Sequence, residues 1–394
     1  MKRMLPAAML LGLLLTGCSL SGLLPVGEPR AAEQENYYAA ATEAAETHYQ
    51  PPLLESQNVC LWARQQLSLK EQQVYDLLAQ AAETHDEEPV QVEASSDQVR
   101  RCLLALRIDH PEYYWFDGEA TYASSSVPLL GDSTSVTLTY TMDRDTARSY
   151  LPQVEAYTQD CLATIGDAAT DYDKILGVYR YIIEHTDYVL RVQDQSMICA
   201  MTQHQATCAG YARTFQYLML KLNIPCTLIL GTGESGESHG WNAVQCGGEW
   251  YQVDVTWGDP LDENGAPGTS LDYTYFMITD WEMYRDHTAD RDIPAPVCTA
   301  TDYNYYRQAG RQLAAWDSLQ YETILRNAAA QGESWVTVRF DRQGDYDTAL
   351  RALIDQGGIM TVLENCGIAI PDSGITYSRN DGFLEFSVEL SGES

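Results

Sequence analysis

The chain reads as α+β: a helix opening on a cysteine, packed on an antiparallel sheet, with small mixed helix-and-strand regions on either side. Three observations predict it. Apolar residues recur at helical spacing after Cys208. Two alternating runs, His239–Cys246 and Glu249–Thr256, are separated by Gly247-Gly248, a hairpin signal. Helical and strand patterns also share the flanks, with no internal repeat and no low-complexity array.

Taken in order, the chain begins with Lys2 and Arg3 before an apolar stretch from Met4 to Leu15. That stretch is too short for a membrane-spanning helix, which needs about 20 residues. It ends in Leu-Thr-Gly-Cys at 15–18, which resembles a bacterial lipobox. The resemblance implies that residues 1–17 are a lipoprotein signal peptide, cut before Cys18, whose thiol is lipidated. An ordinary cleaved signal has a similar outline. Residues 18–55 are polar and rich in Ala and Glu, a tether that would hold the folded part off the bilayer. The expected location is extracytoplasmic, lipid-anchored to the bacterial cell membrane.

Residues 56–165 form a small α+β region. Leu69 to Ala82 is a helix with Leu69, Val74, Leu77, Leu78 and Ala81 on one side and Ser68 as N-cap. Asp97 to Ile108 is a second helix, leading into the aromatic stretch Asp109–Gly118. Ser135 to Met142 alternates as a strand, and Leu151 to Ala163 is helical. The core, 166–292, opens with a helix at Asp171–His185. After it, residues 300–394 form a βαββ-like unit. Its parts are a helix from Leu319 to Ala330 capped by Ser318, a strand Trp335–Phe340, a helix Tyr346–Asp355, and a hairpin of Gly374–Arg379 with Gly382–Leu390.

The chemistry concentrates in the core. Tyr211, Phe215, Leu218 and Leu222 make Cys208 to Leu222 an amphipathic helix, with Thr207 as N-cap and Asn223 and Pro225 as the stop. Cys208 falls in the first turn, where unsatisfied N–H groups and the macrodipole favour a thiolate. Gly210 is costly in a helix but tolerable there if something packs closely on it. Cys226 to Gly231 is a buried strand. With a two-residue turn, Cys246 faces Glu249. The register then puts Trp241 opposite Asp254 and His239 opposite Thr256. His239 and Asp254 become diagonal neighbours on one face, about 7–8 Å apart at Cα, while Val244, Tyr251, Val253 and Val255 form an apolar stripe on the other.

Singly, such residues are ordinary: a helix-start cysteine is most often a small buried hydrophobe. Together, Cys208, His239 and Asp254 are a nucleophile, a base and an orienting carboxylate. A competing reading takes Cys199, His204 and Cys208, with Cys226 further on, as metal ligands. That spacing lacks the paired units of structural zinc sites, and no metal or other cofactor is expected.

The motifs CAGYA at 208–212, IPC at 224–226, HGWNAV at 239–244 and WYQVDVTWGDP at 250–260 resemble the transglutaminase-like domain of the papain-like thiol enzyme superfamily. The resemblance runs from about Tyr172 to His287. Gly240 stands where the family more often has alanine. The resemblance implies a papain-like/transglutaminase-like core and assigns the catalytic roles to Cys208, His239 and Asp254. The Cys208 backbone N–H is one oxyanion donor. Gln195, in a segment similar to the family's lead-in to the nucleophile, is the expected second.

The net charge of −32 argues against nucleic acid, whose phosphates need a basic surface. An acidic surface also keeps an exported protein soluble. The expected partners are a peptide or protein substrate, cell-wall-linked ones included, and the membrane through the lipid anchor. Of ten cysteines, eight remain after Cys18 and Cys208 and are widely spread, so neither disulfides nor free thiols are fixed by spacing. Two functions stay open. One is a thiol enzyme acting on peptide or protein amides through a thioester, resolved by water or an amine. The other is a non-catalytic surface binding or scaffold protein on the same fold.

Overall fold

The computed structural model describes residues 60–127, 131–190, 196–259, 271–371 and 374–390. The expected signal peptide, the tether, Cys18 and Gln195 lie outside them. Among the described residues no helix is long and apolar enough to cross a membrane.

The first region comprises α1 (Trp62–Gln65), α2 (Leu69–Thr84), β1 (Val90–Val92), α3 (Ser96–Asp109), β2 (Phe116–Val127), β3 (Gly131–Tyr140) and α4 (Arg144–Ile165). Ser68 and Glu71 form a capping box at α2, and Ser95 and Gln98 form another at α3. The buried side of α2 is not the expected one. Leu69 and Leu77 are exposed, and Tyr75 and Ala82 take their place beside Val74, Leu78 and Ala81. Position 69 is the first helical residue, at the rim of the contact with α3. Tyr75 instead turns inward because its hydroxyl donates to the buried Asp109. Asp109 also accepts from the Ala63 and Arg64 N–H groups, holding the start of α1. The strand β2 begins inside the aromatic stretch at Phe116, runs on past Gly118, and pairs with β3 in the sheet order β1-β3-β2. Its small residues at 123–126 give no apolar alternation to find.

The central region follows: α5 (Asp171–Glu184), β4 (Asp187–Tyr188), α6 (Met197–Gln203), β5 (Gln205–Ala206), α7 (Cys208–Lys221), β6 (Cys226–Thr232), β7 (Ser238–Cys246), β8 (Glu249–Val253), β9 (Phe276–Ile278), α8 (Asp280–Met283) and β10 (Thr288–Ala289). Its antiparallel sheet has the order β10-β6-β7-β8-β9. The hairpin register is as expected where the ladder runs, with Cys246 opposite Glu249 and Asn242 opposite Val253. Gly247 and Gly248 both have positive φ, 61° and 90°, as a tight two-residue turn requires. The ladder stops at Val253, so His239 and Thr256 are not paired across it; His239 is opposite Gly231 of β6 instead.

The third region holds α9 (Tyr305–Gln308), β11 (Gln312–Leu313), α10 (Ser318–Ala330), β12 (Trp335–Phe340), α11 (Gln343–Leu350), α12 (Gly358–Cys366), β13 (Tyr377–Asn380) and β14 (Glu385–Glu389). It is richer than the βαββ-like unit expected. A short β11 pairs in parallel with β12, and α12 packs on α10. A π-helical turn, Arg351–Asp355, continues α11. The cap of α10 is Asp317, not Ser318: its Oδ1 accepts from the Leu319 and Gln320 N–H groups.

One continuous hydrophobic core joins the first region to α5–α7 and the inner face of the sheet, from Ala63 through Trp115 and Tyr211 to Tyr306. A second core fills the third region. A smaller cluster of Ile229, Trp241, Ala243, Ile278, Met283, Cys298 and Phe383 covers the other sheet face. The hairpin is therefore buried on both sides, not on the Val244–Tyr251 stripe alone. The cover is supplied by chain far downstream, including Phe383 of the third region. The described cysteines are all free thiols.

Candidate active site

Cys208 is the first residue of α7 and is half-buried. Thr207 occupies the cap position, but its hydroxyl accepts no N–H from the first turn. The positive end of the helix is thus not consumed by its own cap, which favours a thiolate or an oxyanion at that point. Gly210 explains how α7 starts where it does. A Cβ there would lie 2.7 Å from the Ala206 Cβ and 3.2 Å from the Ser196 carbonyl oxygen. Only a bare backbone lets the start of α6 and β5 lie across the first turn of α7.

The helix is fastened to the sheet by Asn242, whose amide donates to the carbonyls of Ala212 at 3.0 Å and Thr227 at 3.4 Å. His239 sits near the start of β7, on the Trp241 face, with rings 6.0 Å apart. Its Nε2 lies 2.6 Å from Asp254 Oδ2. Cys208 also acts on this ring and raises its pKa; with Nε2 taken by Asp254, the nitrogen left free is Nδ1. The structure therefore brings together the three residues singled out in the sequence.

Asp254 is held on both oxygens. Oδ1 accepts the Thr256 and Trp257 N–H groups at 2.8 and 3.2 Å, which is also why β8 ends there. Oδ2 accepts from His239 and, at 3.1 Å, from His287 Nε2. Asp254 has no solvent exposure. Burial pushes its pKa up, but the His239 charge and the two histidine hydrogen bonds outweigh that and hold it well below the usual carboxylate range. Burial lowers His239, but Asp254 and then Cys208 lift it to about 10. At neutral pH His239 is therefore an imidazolium against a carboxylate. Beside it, burial first and the Cys208 charge second raise the Tyr188 hydroxyl to about 12.

His287 was not among the residues the sequence pointed to. It lies on the link from α8 to β10, and its Nδ1 is 2.6 Å from Asp286 Oδ1. The only sequence signal was the Asp-His pair at 286–287; nothing in its spacing tied it to Asp254. Trp257, 4.3 Å from His287 and 5.8 Å from His239 between ring centroids, walls the cluster with Trp241 and Tyr275.

Cys199 and His204 do not gather around Cys208: Cys199 is buried in α6 and His204 is an exposed residue ending it. Among the described residues, the three metal-capable groups that converge are His239, Asp254 and His287, with donor atoms within 4.8 Å of one another. Those atoms already hydrogen-bond within the cluster, so a metal there would have to displace the His239–Asp254 bond.

A cysteine-bearing helix laid on a histidine-bearing antiparallel sheet, within an α+β chain, is the class of fold defined here. Residues 159–255 match the Transglutaminase-like superfamily, so the chain carries a transglutaminase-like domain. It is similar to the kyphoscoliosis peptidases of Mus musculus and Homo sapiens, each 27% identical over 143 residues, covering 32% of this chain and 22% of the relative. The match thus spans about a fifth of those proteins. Among solved structures, a TGase aligns at 15% identity with a TM-score of 0.26, covering 43% of this chain and 51% of that one. The periplasmic domain of TgpA from Pseudomonas aeruginosa aligns at 15% identity and TM-score 0.23, covering 32% and 55%.

Proposed function

We propose that the protein is an extracytoplasmic, membrane-anchored thiol enzyme that acts on peptide or protein amides. Cys208 attacks the amide carbonyl, His239 carries the thiol proton to the leaving amine, and Asp254 orients His239. The tetrahedral oxyanion forms at the start of α7, where the Cys208 N–H points, with Gln195 as the second donor. Loss of the amine leaves a thioester on Cys208, which water or a second amine resolves. The observation that carries the reading is the 2.6 Å contact of His239 Nε2 with buried Asp254, on a ring whose pKa Cys208 also raises.

Iodoacetamide labelling across pH tests it without a known substrate. In the wild type, Cys208 is expected to react well below about pH 8.5, the free-cysteine value. His239→Ala should return it to that value, and Cys208→Ala should abolish the adduct. A Cys208 that reacts no faster than the buried thiols at neutral pH would sink the reading. A labelled primary amine offered with a glutamine peptide then separates acyl transfer from hydrolysis.

The anchor rests on the Leu-Thr-Gly-Cys signature at 15–18. Metabolic labelling with a palmitate analogue should mark the wild type and not Cys18→Ser, which should leave the membrane fraction. Equal labelling of both would refute lipidation at Cys18. The non-catalytic alternative is favoured by a groove of about 2440 Å³ between the central and third regions, lined by Tyr172, Arg180, Asp259, Tyr305, Asn327 and Tyr377 among others. A binding protein with no activated thiol would give the unreactive outcome above.

A further inference from the structure

We infer that His287, held by Asp286, is a positioning residue for the proposed triad: it fixes and charge-balances Asp254 on Oδ2, the same oxygen that meets His239. The inference rests on the triad reading above.

Both nitrogens of His287 face carboxylate oxygens, Asp254 Oδ2 at 3.1 Å and Asp286 Oδ1 at 2.6 Å. An ionised carboxylate only accepts hydrogen bonds, so the ring must donate from both nitrogens and is an imidazolium. Its pKa agrees in direction. Burial lowers it, but the hydrogen bonds to Asp254 and Asp286 and the Asp254 charge raise it above the ordinary histidine value. Asp286 is itself pinned, because the Tyr275 hydroxyl donates to its Oδ2 at 2.6 Å. The titratable groups facing His287 are therefore Asp254, Asp286, His239 and Tyr275. Arg285, next in the chain, turns instead to the Phe383 ring, 5.3 Å away.

The position of His287 is built by the sheet. Thr288 pairs with Thr232 at the same end of β6 where Gly231 is opposite His239. A Cβ on Gly231 would lie 2.1 Å from the Thr288 carbonyl oxygen. The bare backbone at Gly231 thus lets β10 close on β6 and brings His287 over Asp254.

Two physical effects follow. Asp254 has no solvent to hydrogen-bond, so Oδ2 depends on His287 for its second donor; without it the carboxylate can rotate and carry His239 with it. The imidazolium also sets a positive charge against Oδ2, which balances the buried carboxylate. Removing His287 loosens the seat of His239, and alkylation of Cys208 near neutral pH slows.

The test is iodoacetamide alkylation of Cys208 in the full chain, followed by peptide mass spectrometry from pH 5 to 10, for wild type, His287→Gln and Asp286→Asn. A one-unit rise in the thiol midpoint would slow alkylation about tenfold below that midpoint. We expect that shift for His287→Gln and a smaller one in the same direction for Asp286→Asn. Thermal melts report the folded fraction of each variant. If both variants melt lower but keep the wild-type midpoint, His287 is only a packing residue and the inference fails. If His287→Gln does not fold, Asp286→Asn decides alone, and an unchanged midpoint there overturns the inference. If the wild type itself shows no His239-dependent reactivity, it is the triad reading that has failed, not the assignment of His287 within it.

Discussion

Asp254→Asn is expected to slow Cys208 alkylation at pH 6 by about two orders of magnitude, because a thiol of ordinary pKa, about 8.5, is almost wholly protonated there. The substitution keeps the size of the side chain and the acceptor for the Thr256 and Trp257 N–H groups. It removes the charge that lifts His239 to about 10. An asparagine amide can also donate to Nε2, which would leave the proton on Nδ1, where the thiol needs an acceptor. Amide turnover should fall by about 10³–10⁴-fold, the scale found when an orienting carboxylate is neutralised. Stability should change with pH as well. The raised His239 contributes fully below its unfolded pKa, about 6.5, and its contribution is lost as pH climbs towards about 10. The depressed Asp254 contributes above its unfolded value, about 3.9, and that is lost as pH falls. The pair thus stabilises most between about pH 4 and 6.5. The difference in melting temperature between wild type and Asp254→Asn should be largest in that window and shrink on both sides. A flat difference would contradict it.

The second large effect is on folding. Arg339, on β12, is 3% exposed and holds the third region against the central one. Its guanidinium bonds Glu385 at 2.9 and 2.5 Å, Glu282 at 3.0 Å and the Thr274 carbonyl at 3.0 Å, and lies 4.6 Å over the Tyr306 ring. Burial still raises the Glu385 pKa in spite of Arg339, a sign that the pair is expensive to desolvate. Arg339→Met would strand a buried carboxylate and should cost about 3–5 kcal/mol in denaturant unfolding. Adding Glu385→Leu removes the stranded charge, so the double variant should recover much of the loss. If the two losses simply add, the ion pair is not the source of the effect.

Much of the triad was legible because its geometry is local. A Gly-Gly turn fixes a register, and the register puts His239 and Asp254 on one side. A helix start is marked by where the apolar spacing begins, which places Cys208. What was not legible depends on distant chain. His287 reaches Asp254 through a two-residue strand, and its sequence neighbourhood carries no period. The burial of the Trp241 face depends on Ile278, Met283, Cys298 and Phe383, which no pattern within the hairpin reports. The helix α2 was found, but its inward side was misjudged, because hydrophobicity alone marks Leu69 and Leu77 while a buried acceptor at Asp109 draws in Tyr75. In the last region, Asp317 caps α10 one residue before the serine that the apolar spacing suggested.

The position of Phe383 bears on how such a protein can diversify. Its ring sits 5.1 Å from Tyr275, whose hydroxyl holds Asp286 beside His287. A residue from the last part of the chain is therefore one ring contact and three hydrogen bonds away from Asp254. The central region is not a cassette that recombination could splice out and graft elsewhere unchanged. A graft ending before Phe383 would bare the Ile278–Met283–Cys298 surface and unsupport the tyrosine behind the histidine.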